Sequence, residues 1–121
     1  MTVNNYRDLE VWKLGMDLAE HCYVVTRAFP KDELFGLTSQ IRRAASSIPA
    51  NIAEGQGRRH TREFLQHLGV ATGSLYETET HLLLSQRVGI LTTDQLSPLL
   101  DMSARIGQML NRLKQALEAR L

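Results

Sequence analysis

The stretch that says most about this chain is SSIPANIAEGQGRRHTR, residues 46–62. It combines small residues, a proline, polar side chains and a cluster of basic residues. Apolar residues recur at steps of three and four up to and through it, as on one face of an amphipathic helix. They are Leu34, Leu37, Ile41, Ala45, Ile48 and Ile52. The pattern predicts a helix that starts after an Asp32 cap and ends at about Gly55, because glycine commonly terminates helices.

Pro49 lies inside this predicted helix. A proline has no N–H to donate to the carbonyl of Ala45, four residues back, and its ring crowds that carbonyl. The cost in a helix interior is about 3 kcal/mol. The sequence therefore predicts a kink over residues 45–49, with Ser46 or Ser47 satisfying the freed backbone.

A polar stripe flanks the apolar face, and Glu54 with Arg58 forms a favourable i,i+4 pair on it. One interpretation is a solvated surface stripe that contributes a few tenths of a kcal/mol. The other is an interior polar network that fixes the register of two helices. The residues predicted for this network are Ser47, Asn51, Glu54, Ser74 and Glu77.

Two blocks carry a family resemblance: FGLTSQIRRAASSIPANIAEG, residues 35–55, and ATGSLYE, residues 71–77. They resemble the four-helix-bundle family encoded in intervening sequences of bacterial 23S rRNA genes, which is similar to the accessory variability proteins of diversity-generating retroelements. The resemblance runs from residue 6 to about residue 117. It implies an all-α, up-and-down (antiparallel) four-helix bundle that assembles as a ring, expected to be a homopentamer, with no known enzymatic activity. The retroelement relatives bind nucleic acid and a reverse transcriptase through a basic surface.

Length and composition agree with one small domain. The chain has 121 residues, of which 43% are hydrophobic, and this is enough for one core over residues 1–121. The single Cys22 excludes an internal disulfide framework, which favours a reducing, cytoplasmic setting. The N-terminal residues MTVNNYRD lack the basic start and apolar run of a signal peptide, and no run is long enough to span a bilayer.

Turn and capping signals divide the chain into four helices. The first is predicted over residues 8–27, the third over residues 62–87 after a Thr61 cap, and the fourth from Thr92 onward. Thr92 and Gln95 have the spacing of a capping box. Pro98 is expected in or near the first turn of the fourth helix, where a missing N–H does little harm.

The first helix carries two apolar stripes. One stripe has the spacing of a bundle seam. Its residues are Leu9, Trp12, Met16, Ala19, Tyr23 and Thr26. A second stripe lies on roughly the opposite side, which predicts an oligomer interface; the alternative is one wide core-facing surface in a monomer. The residues of this predicted interface are Val11, Leu14, Leu18, Cys22 and Val25.

The net charge of +1 is unevenly distributed. Residues 42–62 carry a net +4 and residues 63–100 a net −3. Five arginines are predicted to gather near one helix-turn-helix junction and to bind RNA or DNA phosphates: Arg42, Arg43, Arg58, Arg59 and Arg62. Such binding depends on shape and charge and weakens with salt. The competing interpretation is a protein-interaction scaffold, or accessory subunit, that binds no nucleic acid directly.

The sequence carries no recognisable catalytic pattern. A di-iron bundle needs Glu-x-x-His on two helices, and this motif does not occur. Glu63 with His67 and Glu77 with His81 are i,i+4 pairs, a spacing common on exposed helical flanks. We therefore predict a non-enzymatic protein with no metal or other cofactor.

Overall fold

The structure is a computed structural model and describes residues 5–121. Four α-helices make up most of this part of the chain: α1 (Glu10–Thr26), α2 (Leu37–Gly57), α3 (Thr61–Arg87) and α4 (Thr93–Glu118). Short 3-10 helices span Tyr6–Asp8 and Lys31–Glu33. The predicted all-α four-helix bundle is confirmed. The absence of a targeting signal was predicted partly from residues 1–4, which lie outside the described residues.

Each helix packs against its neighbours in sequence, and α1 also packs against α4, which closes the bundle. The α2–α3 contact is the most extensive. Because short connections join consecutive helices, these neighbours run antiparallel. Within residues 5–121 no helix is both long and apolar enough to cross a membrane.

The core is built from branched aliphatic side chains of all four helices. The apolar face predicted for α2 is buried at Ile41, Ala45, Ile48 and Ile52, whereas Leu34 precedes the helix and is exposed. The largest fully buried aliphatic side chains are Leu18, Ile41, Ile48, Ile52, Leu68, Leu75, Leu82, Ile106 and Leu110.

Three of the five residues of the predicted oligomer interface on α1 do not face solvent. Val11, Leu18 and Cys22 are buried in the chain's own core, and Leu14 and Val25 are half-buried and pack against that core. In the other stripe, part of the surface faces solvent instead. Met16 is 45% exposed and Tyr23 43% exposed, although Ala19 and Thr26 are buried. The alternative of a wide core-facing surface fits these burials better, because three-four spacing alone does not show which stripe faces inward.

Glu33, and not Asp32, satisfies the start of α2. Its Oε1 accepts a hydrogen bond from the backbone N–H of Leu37 over 3.0 Å, while Asp32 lies in the preceding 3-10 helix. Thr61 is the first residue of α3 and does not cap it.

The capping box at the start of α4 is confirmed. The N–H of Gln95 donates to Thr92 Oγ1 over 3.1 Å, and the N–H of Thr92 donates to Gln95 Oε1 over 2.9 Å. Pro98 is the sixth residue of α4, just past the first turn and close to where it was expected.

Helix α2 is continuous through Pro49, and the predicted kink stays a prediction. Ser46 Oγ donates to the carbonyls of Arg42 and Arg43 and does not reach the carbonyl that Pro49 frees. The proline ring packs against α1, where a Cβ atom on Gly15 would lie 3.6 Å from Cβ and Cδ of Pro49. These are ordinary van der Waals distances, so α1 and α2 are in contact at the proline.

Candidate nucleic-acid interface

The C-terminal end of α2 and the N-terminal end of α3 approach each other closely at Gly55. A Cβ atom at this position would lie 2.7 Å from Cβ of His67 and 3.0 Å from Cδ1 of Phe64. Real Cβ atoms do not tolerate the first distance, so the packing requires glycine here. The turn between α2 and α3 follows directly after this contact and lies at one end of the bundle.

The turn carries three of the five predicted arginines. Arg58, Arg59 and Arg62 are all exposed. Arg59 has a φ of 61°, a left-handed conformation that commonly ends helices and that glycine adopts more easily than arginine. Arg58 Nη2 lies 3.3 Å from Glu54 Oε1, whereas Arg59 and Arg62 form no ion pair with any described residue.

The prediction that all five arginines gather at one junction is wrong. Arg42 and Arg43 lie in the first half of α2, about 24 Å along the helix axis from Arg58, because each helical residue advances the chain by about 1.5 Å. Arg42 is half-buried: its Nε donates to Thr26 Oγ1 over 2.9 Å, and its guanidinium carbon lies 4.8 Å from the centre of the Tyr23 ring. The net charge of +4 over residues 42–62 therefore overstated the local charge at the turn.

A polar network crosses the α2–α3 interface. Ser74 Oγ donates to Ser47 Oγ over 2.9 Å, and Asn51 Nδ2 donates to both Oγ and the carbonyl of Ser47. His67 Nδ1 lies 3.2 Å from Asn51 Oδ1. Because an amide oxygen only accepts hydrogen bonds, this contact requires a proton on Nδ1.

The two predicted glutamates differ in their relation to this network. Glu54 lies at its exposed end, where Oε2 is 4.0 Å from His67 Nδ1. Glu77 is exposed and has no hydrogen bond or ion pair with any described residue. The structure therefore brings together Ser47, Asn51, Glu54 and Ser74, leaves Glu77 outside, and adds His67.

Sequence reasoning missed His67, although its spacing carried a signal. His67 precedes Ser74 by seven residues on α3, and Glu54 follows Ser47 by seven residues on α2. Residues seven apart lie on the same helical face. In an antiparallel pair that sets Ser47 opposite Ser74, Glu54 comes opposite His67.

These contacts join two neighbouring helices. Each donor in the network meets an acceptor on the facing helix or one turn away. Burial raises the pKa of the Cys22 thiol to about 12, so this side chain is protonated at neutral pH and is a poor nucleophile. Within residues 5–121 no three His, Cys, Asp or Glu side chains are grouped to hold a metal ion.

The fold and this interface define an all-α bundle protein in which a polar network joins α2 and α3 and exposed arginines follow at the turn. Residues 7–112 match the model of the 23S rRNA-intervening sequence protein family, and the chain belongs to that family. The predicted family resemblance is thereby confirmed.

A solved structure has a similar fold. A protein of unknown function from the S23 ribosomal protein family of Bacteroides thetaiotaomicron has a TM-score of 0.77 and 25% sequence identity. The similarity covers 86% of this chain and 97% of that protein. No curated protein sequence matches the chain.

Proposed function

We propose that this chain is a non-enzymatic, oligomeric bundle protein that binds RNA or other nucleic acid through Arg58, Arg59 and Arg62. The observation that supports this proposal is the exposure of all three side chains at one turn, with only Arg58 in an ion pair. Guanidinium groups donate forked hydrogen bonds that match phosphate oxygens. An exposed turn at the end of a bundle offers them to a large polyanion without steric hindrance.

One copy of this turn gives only a modest charge. Glu54 and Glu63 lie beside the three arginines, so residues 54–63 carry a net charge of +1. Weak sites become strong when several of them contact one ligand together, provided that their spacing fits it. The proposal therefore includes self-association, and the homopentamer that the family resemblance implies would repeat the turn around an axis.

An exposed apolar surface on α1 and α2 supports self-association. Trp12, Met16, Tyr23 and Pro49 line a groove of about 470 Å³ between the two helices. Met16 and Tyr23 are both more than two-fifths exposed. Burial of these side chains against a second copy of the chain would favour association.

Charge reversal at the turn tests the proposal. Light scattering of the triple variant Arg58→Glu, Arg59→Glu, Arg62→Glu is compared with that of the wild-type protein, with and without structured RNA, at low and raised salt. We expect the variant to keep its oligomeric mass and to lose RNA binding. The matched control reverses Arg105, Arg112 and Arg120, which are exposed in and after α4 and give the same change in charge.

The control variant distinguishes a binding site at the turn from a general effect of the protein's net charge. If both triple variants lose RNA binding equally, the turn is not the site. If the wild-type protein binds no RNA at low salt, nucleic-acid binding itself is wrong. If charge reversal at the turn instead dissociates the oligomer, the arginines serve subunit contacts.

The second candidate function is a protein-interaction scaffold that binds no nucleic acid directly. The outward face of α3 supports this candidate function. A Cβ atom on Gly69 or Gly73 would meet no other atom of the chain within 4 Å, so both glycines lie on an open surface of the bundle. Several large apolar side chains are exposed along the same helix, namely Val70, Tyr76, Leu83 and Leu84. By resemblance to the accessory variability proteins, a reverse transcriptase is one partner that such a face would serve.

A further inference from the structure

A second arginine-containing surface lies at the opposite end of α2 from the turn. Seven residues line a cleft of about 410 Å³ there: Tyr23, Leu34, Phe35, Thr38, Ser39, Arg42 and Arg43. We name it the aromatic–arginine cleft. It places two aromatic rings beside two guanidinium groups.

Phe35 in this cleft is 90% exposed, and its backbone is held in place. The N–H of Gly36 donates to the carbonyl of Glu33 over 3.0 Å, and Glu33 Oε1 accepts from the N–H of Leu37. A Cβ atom on Gly36 would lie 2.7 Å from Glu33 Oε1. The glycine therefore allows this local bridge, which presents the Phe35 ring to solvent from a fixed backbone.

The two arginines of the cleft are held by uncharged partners. Arg42 is oriented by Thr26 and by the Tyr23 ring, and Arg43 Nη2 donates to the neutral amide oxygen of Gln40 over 3.3 Å. Neither forms an ion pair within residues 5–121. Arg58 at the turn differs, because Glu54 offsets its charge.

We propose that the aromatic–arginine cleft binds single-stranded nucleic acid, with a base stacked on Phe35 and the adjoining phosphates at Arg42 and Arg43. Surfaces that bind single strands combine aromatic stacking platforms with guanidinium or ammonium groups that follow the backbone. A duplex keeps its bases stacked on each other and offers none to Phe35. This inference rests on the proposed function, since it requires that the chain bind nucleic acid, and it adds a second site with its own class of ligand.

The test uses two fluorescent RNA probes of about 10 nucleotides, a length typical of the sites of single-strand-binding proteins: a single-stranded oligouridylate and a blunt duplex. Affinities are measured by fluorescence anisotropy at low salt. We expect Phe35→Ala and Phe35→Leu to weaken single-strand binding about tenfold or more, because each loses a stacked base. Phe35→Trp retains the affinity, and none of the three variants changes duplex binding.

Two further variants test the role of arginine charge in the cleft and the specificity of the effect of Phe35. Arg43→Gln weakens single-strand binding and makes it less dependent on salt, because one phosphate contact is lost. The matched control is Tyr76→Ala, which removes an aromatic side chain that is 61% exposed on α3 and leaves the affinity unchanged.

Four outcomes would overturn this inference. Full single-strand affinity in Phe35→Ala removes the site but leaves the proposed function, which charge reversal at the turn tests separately. Full affinity in Phe35→Leu shows that stacking is not the mechanism. A fall in oligomeric mass in Phe35→Ala, measured by light scattering, shows that the ring serves a subunit contact. If the wild-type protein binds neither probe, the proposed function fails together with the inference.

Discussion

Ser74 on α3 donates a hydrogen bond to Ser47 on α2 over 2.9 Å, and the two hydroxyl groups join the helices that have the most extensive contact in the bundle. Asn51 donates to the same Ser47 oxygen and connects it to His67. Such a network favours one register of two helices, because a shift along the axis leaves half-buried donors without acceptors.

Removal of Asn51 should destabilise the bundle. Asn51→Ala deletes two donated hydrogen bonds to Ser47 and the acceptor that faces His67 Nδ1. The expected loss is about 1–3 kcal/mol in the free energy of unfolding, since partners of a half-buried polar group are left unsatisfied. Urea unfolding followed by circular dichroism measures it, at one protein concentration because assembly contributes to stability.

The matched control for this prediction is Glu77→Ala. Glu77 is exposed and lies outside the network, so its removal should change the free energy of unfolding by less than about 0.5 kcal/mol. An equal loss in the two variants would show that the network contributes nothing specific to stability.

Two glycines of the α2–α3 pair should respond to alanine in opposite directions. In Gly55→Ala the new Cβ atom would lie 2.7 Å from Cβ of His67, and overpacking of this kind typically costs about 1–3 kcal/mol. In Gly73→Ala the Cβ atom meets nothing within 4 Å of the chain, so the higher helix propensity of alanine should stabilise by up to about 1 kcal/mol. Thermal unfolding of both variants checks the signs; a stabilised Gly55→Ala would refute the close helix approach at this glycine.

Cys22 should be unreactive in the folded protein. Burial raises the pKa of its thiol to about 12 from an ordinary value of 9.0, so folding favours the protonated form. This contribution to stability is fully present below about pH 9 and is lost as the pH rises from there toward 12. At pH 8 iodoacetamide should modify Cys22 in urea but not in native buffer, as followed by mass spectrometry.

Cys22→Ala provides the unlabelled reference for this experiment. It should also weaken the decline in stability between pH 9 and 12 relative to the wild-type protein, since the buried thiol no longer titrates. Rapid alkylation in native buffer would show that α1 exposes Cys22 through local opening, in conflict with its place in the core.

The fold was predictable because the spacing of apolar residues along the sequence identifies amphipathic helices. Steps of three and four identified the buried face of α2, and the spacing of Thr92 and Gln95 identified the start of α4. The same periodicity did not show which stripe of α1 faces inward. Both Leu18 and Tyr23 satisfy it, and only the packed neighbours decide that Leu18 is buried.

The candidate site was less predictable because it depends on distance in three dimensions. Arg42 and Arg58 belong to one basic segment of sequence, yet α2 separates them by about 24 Å. Conversely, His67 and Asn51 are 16 residues apart and lie in contact. Phe35 was noted only as part of a family block, and its exposure beside Arg42 and Arg43 became visible only in the folded chain.

The backbone of Arg59 provides a test that separates stability from binding. Its φ of 61° costs an L-residue with a side chain about 1–2 kcal/mol, and glycine avoids most of this cost. Arg59→Gly should therefore raise the free energy of unfolding by about 1 kcal/mol and, if the turn binds RNA, weaken binding. Arg58→Gly is the matched control, because Arg58 has a φ of −68° and ion-pairs with Glu54. It removes the same charge without relieving strain, so it should destabilise the protein. Urea unfolding and RNA anisotropy of the two variants give the comparison, and equal destabilisation by both would contradict a strained left-handed residue at the turn.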